Sequence, residues 1–234
     1  MPTIPSAKKI MMEALRNNLD VDINTLHAKT FELLISYRSK YYERRVNELL
    51  LEVDLPVKIR NKVKKKILEP IVVDGKEYSN FMEEVSRRVS QAFQPISGSI
   101  AELCAERELI KNGLIKGINF VRRKERADFT VYYPNITECK VKHRIEVKNV
   151  SLRERATRGL AFDGDSLFGF FNQLKEFTES NVKILDDLCS KTGGYCYVPP
   201  KLLEQIPYRG LRFRLNTQFG KDMSIFVREG QMPK

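Results

Sequence analysis

Apolar positions repeat at helical spacing through the first part of this chain and at strand spacing through much of the rest. From Ser6 to Leu19 the pattern predicts a helix with Ser6 as its N-cap. A longer helix is predicted from Asn24 to Glu52, with Leu26, Leu33, Leu34, Tyr41, Val46, Leu49 and Leu50 as its apolar positions. Pro56 opens a shorter basic helix that Pro70 ends. Another helix is expected from Ser79 to Phe93, with Phe81, Met82, Val85, Val89 and Phe93 facing inward and Gln94-Pro95 closing it. Residues 1–95 therefore read as an all-helical region, and 96–234 as a second unit.

The second unit opens on Ser97-Gly98-Ser99, a cap for a helix from Ile100 to Asn112 that Gly113 ends. Ile118 to Val121 is a short strand. In Ala127 to Tyr133, Phe129, Val131 and Tyr133 alternate with Thr130 and Tyr132, which is a strand pattern. Pro134-Asn135 is a turn signal. In the strand Glu138 to Val150, Val141, Ile145 and Val147 share one parity, and Lys142, Arg144, Glu146 and Lys148 the other. Ser166 to Leu188 reads as a helix striped by Leu167, Phe170, Phe171, Leu174 and Phe177. Gly193 to Val198 follows as a central strand, parallel to its neighbour because a helix precedes it. Leu211 to Leu215 and Met223 to Val227 are expected as a closing hairpin. The order α-β-β-β-α-β-β-β predicts an α/β fold: a mixed sheet flanked by helices.

Candidate chemistry lies on the hairpin. A turn centred near Thr137 sets Asp128 opposite Glu146. Two neighbouring carboxylates repel unless a cation joins them, and their oxygens suit a hard ion such as Mg²⁺. Lys148, two residues beyond Glu146, emerges on the same face, where it could orient or deprotonate a water. A second E-x-K, Glu138-Cys139-Lys140, lies beside the turn and lacks apolar residues before it.

The pattern Asp128…Glu146-Val147-Lys148 resembles the PD-(D/E)XK nuclease superfamily, and within it the type II restriction endonucleases. Ala127 stands where that family often has Pro. The resemblance covers about residues 97–198. It implies a restriction-endonuclease-like fold and Mg²⁺-dependent, sequence-specific hydrolysis of phosphodiester bonds in double-stranded DNA. It implies that Asp128 and Glu146 bind the metal while Lys148 assists the attacking water. A helical glutamate before the Asp strand often joins such sites, ahead of a Leu-x-x-x-Gly ending. Leu109 to Gly113 supplies that ending and favours Glu102, whereas amphipathicity favours Glu106. Enzymes of this class and size usually act as homodimers on palindromic DNA in a prokaryotic cytoplasm. A companion DNA methyltransferase is expected in the host rather than as a stable subunit. Two other readings remain open: a Holliday-junction resolvase or repair nuclease of the same superfamily, and a non-enzymatic basic DNA-binding protein.

Charge is consistent with a polyanionic partner. The 234 residues carry a formal net charge of +11. Phosphate-contact candidates are Lys62 and Lys65 in the basic run, and Arg122, Arg123 and Lys124 just before Asp128. Asn149 and Ser151 leave the Glu146 strand with hydrogen-bonding groups. Arg153, Arg155 and Arg158 follow in a loop suited to phosphates or guanine edges. Four cysteines without a CxxC and only two histidines, His27 and His143, argue against a zinc site. No apolar run reaches membrane-spanning length, and Met1 to Leu15 lacks a signal-peptide core.

Overall fold

A computed structural model describes residues 4–16, 21–52, 69–78, 81–149, 164–206 and 210–233. Helix α1 (Ala7–Leu15) starts where Ser6 accepts a hydrogen bond from the Lys9 N–H at 3.2 Å, as its cap position predicts. Helix α2 (Ile23–Glu52) matches the expected long helix, and its buried Ile23, Leu26 and Leu34 join the main core. The basic run holding Lys62 and Lys65 lies outside the described residues, as does the loop with Ser151, Arg153, Arg155 and Arg158.

The helical amino-terminal region also carries a small hairpin that periodicity did not predict: β1 (Ile71–Val73) and β2 (Lys76–Tyr78) around Asp74-Gly75. Three-residue strands are too short for an alternation to show. The helices expected on either side of Gln94-Pro95 are one helix, α3 (Phe81–Lys111), with Pro95 inside it. Val85, Val89 and Phe93 before the proline and Ile100, Ala101, Cys104, Ala105 and Leu109 after it share one core cluster. That continuous apolar stripe outweighs the hydrogen bond a proline removes.

The main sheet has six strands in the order β3 (Phe120–Arg122), β4 (Phe129–Tyr133), β5 (Val141–Lys148), β6 (Ser166–Gly169), β7 (Cys196–Val198) and β8 (Phe213–Leu215). β3, β4 and β5 are antiparallel, and β5 to β8 are parallel. Three further α-helices follow among the described residues: α4 (Glu179–Thr192), α5 (Pro200–Gln205) and α6 (Phe219–Glu229). Phe129, Val131, Ile145, Val147, Phe168 and Tyr197 face a core shared with α1, α2, α3 and α6. Leu167, Cys196, Val198 and Phe213 face a second core under α4 and α5. The result is a mixed sheet between two helical layers.

Two expected elements change type. Ser166–Gly169 is a strand, and the crossover helix begins later, at Glu179, where Thr178 caps it. All four residues of β6 are buried, so its sequence has no polar alternation to separate it from a helix stripe. The segment expected as the last strand, Met223–Val227, belongs to α6. Phe219, Met223 and Phe226 recur at helical spacing and are buried together. At Gly220 a Cβ would fall 2.3 Å from the Asn112 amide nitrogen and 2.7 Å from the Glu108 carbonyl oxygen. Glycine there lets α6 seat directly on the end of α3.

Candidate active site

The register of β4 on β5 pairs Phe129 with Ile145 and Tyr133 with Val141. Continued by one residue, it sets Asp128 opposite Glu146 and centres the hairpin on Thr137, as expected. Asn135 builds the turn by accepting the N–H groups of Thr137 and Glu138, each at 2.9 Å. Ile145 and Val147 are buried toward α3, so Glu146 and Lys148 emerge from the opposite face, beside Leu167 and Gly169 of β6.

Asp128 Oδ2 accepts a hydrogen bond from the Val147 N–H at 2.7 Å. Its other oxygen has no hydrogen-bond partner among the described residues. Burial pushes the Asp128 carboxyl up to about 6, and the charges of Glu146 and Glu102 push the same way. The Val147 hydrogen bond and Lys148 oppose that rise. Lys148 Nζ sits 2.9 Å from Glu146 Oε1. Asp128 thus carries a negative charge that its surroundings leave undercompensated, a condition a bound cation would relieve.

Glu102 and Glu106 both lie on α3 and are both buried, each 8 % exposed. Neither is a bare ligand. Arg122 bridges them, with Nη2 2.5 Å from Glu102 Oε2 and Nη1 2.9 Å from Glu106 Oε2. Lys116 pairs with Glu106 Oε1 at 2.6 Å, and Arg123 forks onto Glu102 at 3.0 and 3.1 Å. Among the described residues no group of three or more His, Cys, Asp or Glu is arranged to hold a metal. The carboxylates of Asp128 and Glu146 nonetheless fit Mg²⁺, which keeps several waters and needs one or two carboxylates from the protein.

Arg122 and Arg123 are thus turned to the glutamates of α3, while Lys124 is exposed in the loop before Asp128. Asn149 is bound inside the protein. Its Oδ1 meets His27 Nε2 at 2.7 Å, and its amide nitrogen donates to the Ser97 carbonyl at 3.3 Å and to the Ser97 hydroxyl. His27 in turn stacks on Phe170, with ring centroids 3.7 Å apart and planes 5° from parallel. The Phe170 N–H donates to the Lys148 and Asn149 carbonyls at 3.3 and 3.0 Å. This support behind Lys148 was not expected from the sequence. Its one signal there is a lone histidine on the apolar stripe of a helix, which more often marks packing.

No family model matches the chain, and no curated protein sequence does. Among solved structures, a metal-depleted form of Ecl18kI in complex with uncleaved, modified DNA superposes with a TM-score of 0.59. The match covers 96 % of this chain and 74 % of that one, at 12 % sequence identity. The fold is restriction-endonuclease-like. Both the mixed sheet and the helical amino-terminal region take part in the match. No described helix is long and apolar enough to cross a membrane.

Proposed function

We propose that this chain is a Mg²⁺-dependent endodeoxyribonuclease of the PD-(D/E)XK type, acting on double-stranded DNA as a type II restriction endonuclease. The observation that carries the reading is the register that opposes Asp128 and Glu146 and brings Lys148 out beside Glu146. The shared fold with a DNA-bound protein and the net charge of +11 support duplex DNA as the partner.

In this reading Asp128 and Glu146 hold the metal. When bound, Mg²⁺ supplies Lewis-acid polarisation of water and of the phosphoryl oxygens. Lys148 orients the attacking water and places positive charge beside the reacting phosphoryl group, and its pairing with Glu146 fixes where the ammonium stands. The Val147 N–H fixes one oxygen of Asp128 and leaves the other without a hydrogen-bond partner among the described residues. The exposed Lys124 would contact backbone phosphates, together with the basic segments outside the described residues. A homodimer would match a palindromic site by its own two-fold symmetry. The division of labour between residues 1–95 and 96–234 belongs to the same proposal.

The test is incubation of the purified protein with long, unmethylated duplex DNA, with Mg²⁺ or with EDTA. Discrete fragments that need Mg²⁺ and vanish with Asp128→Asn support the reading. Cleavage of four-way junctions without cleavage of any duplex would replace it with a resolvase. DNA binding with no cleavage of either substrate would overturn the enzymatic reading.

A further inference from the structure

Arg122 and Arg123 are neighbours held in different ways. The Arg122 side chain is 21 % exposed, reaches both Glu102 and Glu106, and lies over the Phe129 ring at 5.9 Å. Lys116 takes the remaining oxygen of Glu106. Arg122 and Lys116 therefore match the two glutamate charges one for one. Arg123 is the surplus cation of the cluster.

The Arg123 side chain is 62 % exposed, although its fork closes on a buried carboxylate. Glu102 Oε2 is shared between Arg122 and Arg123, whereas Oε1 is bonded by Arg123 alone among the described residues. The same residue is tied to Asp128: the Arg123 N–H donates to the Asp128 carbonyl at 2.9 Å. Between them runs a tight loop in which Arg123, Glu125 and Arg126 all take positive φ, at 50°, 56° and 62°. Arg123 thus stands at the solvent boundary between Glu102 and Asp128, and the Asp128 charge acts on its guanidinium. The exposed guanidinium is open to solvent on one side, and a phosphate accepts the same fork with two parallel bonds.

We propose, on the nuclease reading above, that Arg123 is an exchangeable cap: it holds Glu102 in the DNA-free protein and passes to a backbone phosphate of a bound duplex, releasing Glu102 Oε1 toward the cation site of Asp128 and Glu146. Arg122 stays in place and keeps Glu102 positioned. Duplex and divalent cation then assist each other's binding, because each favours the uncapped arrangement. The DNA-free protein keeps its acidic site covered and holds cations weakly.

The test measures binding rather than turnover. A labelled, random-sequence duplex is titrated with protein in Ca²⁺ or in EDTA and read by fluorescence anisotropy. Wild-type protein should bind about tenfold more tightly in Ca²⁺. In Arg123→Gln that gain should fall below about twofold, since the cap is already absent. Calorimetric titration of the DNA-free Arg123→Gln protein should show tighter Ca²⁺ binding than wild type. Glu102→Gln should lose the gain, and its affinity in EDTA should rise above wild type, since Arg123 is then already free for a phosphate. An unchanged gain in Arg123→Gln, with a gain that Asp128→Asn abolishes, overturns the cap and leaves the nuclease reading standing. A gain that survives Asp128→Asn places the cation elsewhere and overturns both. A wild-type protein with no gain in Ca²⁺ overturns the cap, and the cleavage assay then decides the nuclease reading separately.

Discussion

The Asp128 carboxylate accepts the N–H of Val147, the residue between Glu146 and Lys148, at 2.7 Å. One hydrogen bond therefore locks the start of β4 to the segment of β5 that carries the candidate chemistry. It also separates two functions of Asp128. One oxygen fixes geometry, and the other has no hydrogen-bond partner among the described residues.

Asp128→Asn keeps an oxygen for the Val147 N–H and removes the charge. Cleavage should fall by at least about 100-fold, the usual scale for losing an electrostatic group at the reacting centre. Duplex binding in EDTA should be retained. Because burial raises the Asp128 carboxyl to about 6, the folded protein binds its proton more tightly than the unfolded chain does. The stability Asp128 contributes when protonated is lost as pH rises through about 6. The Asn variant should accordingly melt higher than wild type at neutral pH, by an amount worth about 1–2 kcal/mol. Asp128→Ala, which leaves the Val147 N–H unpaired, should melt lower than the Asn variant. Thermal melts of the three proteins check both statements.

Lys148→Ala should lower the cleavage rate by about 10²–10³-fold, the scale for losing an electrostatic group aimed at the reacting centre. Affinity for duplex DNA should change little, since the Lys148 ammonium is paired with Glu146. Single-turnover kinetics separates the two. Arginine should not rescue, because a planar guanidinium does not fit the place of a compact ammonium. A variant that loses binding and cleavage together would make Lys148 a phosphate contact.

Both histidines are buried and should make the fold acid-sensitive. Burial lowers His27 and His143 to about 4, with His143 facing Ser166 and feeling the charges of Asp165 and Arg144. The unfolded chain takes up a proton on each near the ordinary value of 6.5, and the folded protein does so only near 4. Stability is complete above that window and is lost as pH falls through it. At about pH 5 each histidine should cost about 2 kcal/mol. His27→Phe keeps a ring to stack on Phe170 and should remove roughly half of that loss. Urea titrations near neutrality and near pH 5 measure it. An equal acid loss in the variant would mean that His27 is already charged in the folded protein.

Asp222 fastens α6 to the sheet. One of its oxygens meets the Tyr197 hydroxyl and an Arg214 nitrogen, both at 2.9 Å, and the residue is buried. Asp222→Ala leaves Arg214 without this partner in a largely buried place. The loss should be about 3–5 kcal/mol, the scale for breaking a buried pair from one side. Asp222→Asn should cost less, since it still accepts from Tyr197. Chemical denaturation checks the order.

Much of the candidate site was legible in the sequence because it depends on local pattern. Alternation in Ala127–Tyr133 and in Lys142–Lys148 marks two strands, and Pro134-Asn135 marks the turn between them. With side-chain period two, the turn position alone sets Asp128 opposite Glu146 and Lys148 on the same face as Glu146. The long helix over Ile23–Glu52 and α1 before it were equally visible, since apolar positions recurring at helical spacing over several turns fit no strand.

Only the tertiary structure decided the rest. The four buried residues of β6 are too few for period to type them, and in α6 the Met223–Val227 run also alternates as a strand would. Their type follows from which neighbour they bury against: β6 lies between β5 and β7, and α6 seats on α3 through Gly220. Pro95 reads as a helix stop from the sequence, yet the core on both sides of it holds α3 together. The partners of Glu102 and Glu106 come from Lys116, Arg122 and Arg123, across a chain reversal that spacing on one helix does not reveal. Local order in a chain follows from its own periodicity. Which charges meet follows from how distant segments pack, and that is settled only when the whole core forms.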